Sequence, residues 1–448
     1  MASTMPISSP LPARNPHSSR LLSTLLLLAT VCGTAASAQT LARPGWAGSG
    51  LTTTSWWRHA ILYEIDPHHF QGTTPAPTGD LRGVTQRLDY LQSLGIDAIL
   101  LQNIQPQAAS NQQVIDTSLG TLDDLDDLLL QASHRSIRVL IDLHPASPTA
   151  DLSAEARFWL SRGIAGFHLT SSSDSTTQLH QLRAIAKTYV GERVLIGDFT
   201  PSSDVSHTPD APQLLLNPYL APLTQLDATI LRPTLEQSDS TIHATGSVPL
   251  VLTDDATHPR SFTRLASTPP NPEAAKVIAT LLLTTRASSM LLYGQEIGLP
   301  STPTATIPWG LPPNPAARNK PTPKPSEVVT QDADPQSLLN WYRQLSNLQH
   351  SNLTLRAGAN LSLNLDDQHV LAWVRKPQNP SLITPPLVFL CNLSAQPTTV
   401  SLTSEMQRLH LRGSFLRSVL RSDTGMGAQN LGTITLAPFA TYIGELRY

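Results

Sequence analysis

The stretch Val84 to Ile104, VTQRLDYLQSLGIDAILLQNI, decides the fold. Val84, Leu88, Leu91 and Leu94 recur at the spacing of one helix face, Gly95 stops the helix, and the apolar run from Ile96 reads as a strand. The pattern repeats in both directions. Before it stands AILYEIDPHHF from Ala60, a first strand. After it comes TLDDLDDLLLQASHRS, which Thr121 opens with a capping-box pair to Asp124, and then IRVLIDLHP from Ile137. Ser153 to Arg162 reads as a helix and IAGFHL from Ile164 as a fourth strand. RVLIGDF from Arg193, PQLLLNP from Pro212, VPLVLTDD from Val248 and SMLLYGQEIG from Ser289 supply four more. Eight βα units predict an α/β fold of the TIM (β/α)8 barrel type, whose chemistry sits at the C-terminal ends of the strands.

The remainder is organised around that barrel. At 448 residues the chain exceeds what one core supports, so a large domain with a smaller companion is expected. The chain has 38 prolines, and they are densest between Pro300 and Pro325, where they exclude regular structure. Beyond them a helix, PQSLLNWYRQLSNLQ, leads into runs such as HVLAWVRK, PLVFLCNLS and ATYIGELRY. Their alternation between turns predicts a C-terminal antiparallel β-sandwich. At the other end Arg14 and Arg20 precede the apolar run from Leu21, which closes on Ala36-Ser37-Ala38, the form of an export signal. The run also approaches the length of a membrane span, so cleavage or retention as an anchor stays open. The expected order is a signal peptide over 1–38, a linker over 39–55, the barrel over 56–300 and a proline-rich loop over 301–334. The final barrel helix over 335–350 and the sandwich over 351–448 follow. Export implies a secreted or periplasmic protein, and cleavage would leave Cys391 as its one thiol, with no internal disulfide. A net charge of −3 gives no concentrated basic surface, so neither nucleic acid nor, after signal cleavage, a membrane is expected as a partner.

Five segments, WWRHAILYEIDPHHFQ, GDLRGVTQRLDYLQSLGIDAILL, GTLDDLDDLLLQASHRSIRVLIDL, ATLLLTTRASSMLLYGQEIGL and SLLNWYRQL, resemble those of the α-amylase family, glycoside hydrolase family 13, and in that family's order. The Trp-Trp start and TIPW resemble its oligosaccharide α-glucosidase and trehalose-synthase branch. The resemblance implies a retaining glycosidase site with a carboxylate nucleophile and a second carboxyl as acid/base. At the Gly-x-Arg-x-Asp motif that supplies the nucleophile, this chain has Gly166-Phe167-His168-Leu169-Thr170. Thr170 has no carboxylate, and His168 lacks arginine's permanent charge and fork of donors. Asp198 matches the acid/base Glu with one methylene fewer, and Asp255 matches the last carboxylate of Asn-His-Asp, with Asp254 at the histidine. Asp142 keeps the strand-three Asp, and His144 reads as a displaced remnant of that motif's histidine.

Two deletions accompany these substitutions. The stacking Tyr of Gly-Tyr-Asp is missing before Thr121, and almost nothing stands where the family inserts domain B, with its calcium ligands, after strand three. The resemblance therefore implies a shallow pocket, no metal and no cofactor. Asp142, Asp198 and Asp255 also have a plain reading as carboxylates left at the barrel mouth. Glu64, Asp66, His68 and His69 read as a solvated loop rather than a metal site, and Glu296 reads as a support of the fold. His258 and Arg260 read equally as an anion site or a loop surface. Three functions compete: a degenerate amylase-fold protein with a carbohydrate-binding or interaction role, α-glucan or oligosaccharide being a candidate partner; residual or altered α-glucosidase hydrolysis using Asp198 and Asp255; and a structural or envelope-assembly protein without a sugar ligand.

Overall fold

A computed structural model of the chain describes residues 55–73, 78–106, 113–144, 151–169, 176–198, 211–217, 219–245, 247–265, 271–300, 306–310, 324–381 and 383–448, the side chains of 176 and 238–245 excepted. Strands β1 (Ile61–Ile65), β2 (Ala98–Leu101), β3 (Arg138–Leu143), β4 (Gly166–Leu169), β5 (Val194–Asp198), β6 (Leu214–Asn217), β7 (Val248–Leu252) and β8 (Ser288–Leu292) pair in chain order. The barrel closes where β1 runs parallel to β8, Leu62 beside Met290. Side chains alternate between two dry surfaces. Leu62, Leu100, Leu140, Ile196, Leu214, Leu250 and Met290 fill the lumen, while Ile61, Tyr63, Ile99, Ile141, Phe167 and Leu195 face outward into the core shared with the helices. Both faces of these strands are therefore apolar, and their sequences read as unbroken hydrophobic runs.

Local chemistry sets the ends of the elements. Gly95 caps its helix at φ 84, a left-handed conformation in which a side chain would be strained. Thr121 and Asp124 close the capping box ahead of the helix Leu122–His134, which turns Leu125, Leu128 and Ala132 inward. At Gly166 a Cβ would lie 2.0 Å from the Val194 carbonyl oxygen, so only glycine lets β4 start this close to β5. Glu296, fully buried, accepts the Tyr63 hydroxyl at 2.9 Å and the Tyr90 hydroxyl at 2.6 Å, and this ties the loop after β8 to the first βα unit. It supports the fold, as its sequence setting indicates.

Within the proline-rich span, Val328–Ala333 form a helix, and Trp309 is docked on the barrel. Its Nε1 donates to the Phe70 carbonyl at 3.0 Å, Phe70 and Tyr90 pack edge-on against its ring, and the Arg87 guanidinium lies 4.0 Å from the ring centroid. The helix Leu338–Ser351 then returns to the barrel, where Trp341 Nε1 donates to the Lys276 carbonyl at 3.0 Å.

The C-terminal region holds β9 (Ala359–Leu363), β10 (Val370–Lys376), β11 (Leu387–Asn392), β12 (Thr398–Val400), β13 (Phe415–Arg421), β14 (Gln429–Asn430), β15 (Ile434–Leu436) and β16 (Thr441–Arg447). Six of them form an antiparallel sheet in the order β14-β13-β16-β11-β10-β9, with β12-β15 as a two-stranded partner. The alternation expected for these strands is weaker than for a free sandwich, since every residue of β11 is buried. Val370, Ala372, Val388 and Leu390 face the sandwich core, whereas Leu371, Trp373, Phe389 and Cys391 join the barrel's outer core. Trp373 and Phe389 stack with centroids 4.9 Å apart. Burial pushes the Cys391 thiol up to about 12, so it behaves as an apolar side chain rather than a nucleophile.

The expected signal peptide over 1–38 lies outside the described residues. Among the described residues no helix is long and apolar enough to cross a membrane. Arg232, buried on the helix Ala228–Thr245, donates to the carbonyls of Asn364, Leu365 and Asp367 at 2.8 to 3.2 Å and so joins barrel to sandwich. Removing a charged donor from such carbonyls costs about 1.5–3 kcal/mol. Arg232→Met is expected to lower unfolding free energy in urea by about 2 kcal/mol; an unchanged urea midpoint would show that the clamp contributes nothing.

Candidate functional site

The period-two alternation that fills the lumen with leucine continues one layer further, to the mouth of the barrel. Leu62 is followed by Glu64, Leu100 by Gln102, Leu140 by Asp142, Gly166 by His168 and Ile196 by Asp198. Five strands thus bring polar groups to one rim. Asp142 and His168 are register partners on adjacent strands.

His168 is the centre of this rim. It is 7% exposed, with Nδ1 lying 3.1 Å from Asp142 Oδ1 and Nε2 3.3 Å from Asp198 Oδ1. The Nδ1 approach is an ion-pair distance bent away from hydrogen-bond geometry. Half-exposed His144 adds Nε2 at 3.3 Å from Asp142 Oδ2, extending the line to His144-Asp142-His168-Asp198. Burial alone would lower the His168 pKa, but the two carboxylates outweigh it and raise the ring from 6.5 to about 10. The charge expected to be lost with arginine is therefore restored by the setting. What is not restored is the fork: one imidazole reaches each carboxylate through a single nitrogen.

Glu64 differs most from its sequence reading. Instead of standing in a solvated loop, it lies on β1, 5% exposed, with Gln102 Nε2 donating to Oε1. Burial pushes its carboxyl up to about 7, with His168 opposing the rise and Asp142 and Asp255 adding to it. The signal was present in the parity of β1, because Glu64 follows Leu62 on the lumen face. Asp66, His68 and His69 lie beyond the strand: Asp66 caps the turn Pro67–Phe70 and pairs with His68 Nδ1 at 3.0 Å. Among the described residues no group of three or more His, Cys, Asp or Glu side chains is placed to hold a metal ion.

The β7 end is occupied by its own loop. Asp255 Oδ1 accepts the amides of Thr257 and His258 at 2.8 and 2.7 Å, and His258 Nδ1 lies 3.0 Å from both carboxylate oxygens. Burial would raise this carboxyl, yet the bonds from His258 and Thr257 outweigh it and hold it below the ordinary range. Asp254 is buried and accepts the Ser261 amide and hydroxyl, which assigns it to the start of the helix Ser261–Arg264. Arg260 does not stand on a loop surface. It is 7% exposed, donates to the Tyr293 carbonyl at 2.6 Å and lies over the Tyr293 ring. Thr170, at the nucleophile position, lies outside the described residues.

A histidine that holds its proton more tightly folded than unfolded contributes stability that is complete below about pH 6.5 and is lost as pH rises through about 10. Breaking such a buried pair by removing one partner costs about 3–5 kcal/mol. Unfolding free energy measured from pH 7 to pH 10 should fall, and in His168→Gln both the fall and much of the pH 7 stability should disappear. A wild-type slope retained in the variant would place the titrating group elsewhere.

Comparison with known proteins matches residues 64–149 to the sequence model of the α-amylase catalytic domain. The chain is 47% identical over 95 residues to trehalose-6-phosphate hydrolase of Escherichia coli, covering 20% of this chain and 17% of that one. It is 33% identical over 120 residues to a probable oligo-1,6-glucosidase of Bacillus subtilis, covering 23% and 21%. The matches thus span about a fifth of the curated relatives' length. Among solved structures, the trehalulose synthase of Pseudomonas mesoacidophila superimposes with a TM-score of 0.73 at 15% identity, over 88% of this chain and 100% of that one. The isomaltulose synthase of a Klebsiella species does so with 0.70 at 18%, over the same shares. At such identities the likeness concerns the fold, a closed barrel followed by an antiparallel domain. The first barrel units, residues 64–149, are thus similar in sequence to the α-amylase catalytic domain and to α-glucosidase-like relatives, and the described chain shares the fold of the two synthases.

Proposed function

We propose that the chain binds α-glucosidic oligosaccharide at the barrel mouth and has given up the family's double-displacement hydrolysis, acting outside the cytoplasm after export by its N-terminal segment. The observation that carries this reading is the state of the rim carboxylates. Retention requires a carboxylate nucleophile about 5 Å from an acid/base carboxyl. Here the nucleophile position is Thr170, whose hydroxyl would need a base to attack and would make a poor glycosyl leaving group. Asp142 and Asp198, the carboxylates at the ends of β3 and β5, face His168 from both sides. Asp198 is thus engaged with the His168 ring.

The relatives support carbohydrate as the ligand, being named as hydrolases of trehalose 6-phosphate and as α-glucosidases. The polar rim above an apolar lumen suits a neutral polyol, whose hydroxyls both donate and accept. The missing stacking Tyr and domain B argue for modest affinity.

The purified chain is expected to bind maltotriose with a Kd on the order of millimolar, about 4 kcal/mol. It should release 4-nitrophenol from its α-glucoside no faster than an Asp198→Ala control. Turnover abolished by that substitution would establish hydrolysis through Asp198 instead, and absence of binding to any glucan would remove the sugar from the account.

A further inference from the structure

Among the carboxyl groups that the barrel collects at its mouth, Glu64 is set apart by its bonding. Asp142 and Asp198 each face the His168 ring at ion-pair distance, and Asp255 is held by its own loop. Among the described residues, Glu64 has no cation within ion-pair distance. Its one side-chain bond among the described residues comes from a neutral amide, Gln102 Nε2, to Oε1, and among those residues Oε2 has no partner. A carboxyl 95% removed from water with one neutral donor favours its uncharged form more than an exposed one does, and that form carries an O–H donor. Since Oε1 accepts from Gln102, the proton belongs on Oε2. The groups around it divide evenly in charge: Asp142 from β3 and Asp255 from beyond β7 oppose ionisation, while His168 from β4 and Arg260 favour it. Tyr293, just past β8, is close enough for Glu64 to disfavour its ionisation in turn.

We propose that Glu64 meets the ligand as a neutral carboxylic acid, donating from Oε2 to an acceptor oxygen of the α-glucoside at the barrel mouth, an inference that rests on the binding role argued above. Glu64 is on this account a binding and positioning residue, and no bond of the sugar is broken through it. Two consequences separate it from a structural role. Binding depends on the neutral fraction of Glu64, which falls as pH rises through about 7. A side chain that donates without titrating should bind equally well at every pH.

Titration of the full chain with maltotriose by calorimetry at pH 5.5 and pH 8.5 tests the first consequence. Wild-type affinity is expected to be about thirty-fold weaker at the higher pH, the ratio set by a group titrating near 7. Glu64→Gln, whose amide keeps both an acceptor for Gln102 and an N–H donor, should bind with little pH dependence, and Glu64→Ala should bind weakly at both. In pH-difference infrared spectra, the carbonyl band of a protonated carboxyl should fade near neutrality in the wild type and be missing in Glu64→Gln. Maltotriose binding that is equal at the two pH values, or as tight in Glu64→Ala, overturns the role of Glu64 and leaves the binding reading in place. Absence of the infrared band overturns it as well. No binding by the wild type at either pH overturns the binding reading, and this contact with it.

Discussion

A closed eight-stranded barrel has room inside for side chains and for little else. Every second residue of every strand must be dry, and any charge placed there must bring its counter-charge. The site follows from that constraint. Seven lumen positions are Leu, Ile or Met, and one layer above them the same alternation delivers Glu64, Gln102, Asp142, His168 and Asp198. The lone cation of this set, His168, lies between two carboxylates from the strands on either side of its own. Glu64, across the rim on β1, has a neutral amide instead, and burial pushes its carboxyl up to about 7.

On the proposed reading, this arrangement accounts for a barrel kept without the nucleophile of the family it resembles. The ancestral demand on the rim is to hold two carboxylates ionised and properly spaced, and an arginine serves by carrying charge in any environment. Once Thr170 replaces the nucleophile, one negative charge disappears and the need for that arginine weakens. Histidine is then sufficient, because two carboxylates in a low-dielectric setting keep its ring protonated. His168 thus offsets part of the charge that Asp142 and Asp198 bring to the rim.

Much of the barrel was legible in the sequence because helix stops such as Gly95, the Thr121–Asp124 capping box and the unbroken apolar strands are local signals. The rim was less so. Asp142, His168 and Asp198 could be placed at strand ends by resemblance, but their mutual pairing depends on register between strands, and no local pattern encodes register. Glu64 was misread because EIDPHHF looks polar and loop-like when its neighbours are counted, whereas parity along β1 assigns it to the lumen. Arg260 was misread for a similar reason: its loop is polar, and its burial comes from Tyr293 on another element. The weakened alternation of β10 and β11 reflects a sheet whose second face is covered by the barrel, a contact visible only in three dimensions.

The protonation state of His168 tests the account most directly. With ring nitrogens labelled with ¹⁵N, the spectrum at pH 8 is expected to show both His168 nitrogens protonated, with the shift to a neutral ring only as pH approaches about 10. A neutral His168 tautomer already dominant at pH 8 would contradict it, since the ring would then bring no charge to Asp142 and Asp198 and the rim would be organised on some other principle.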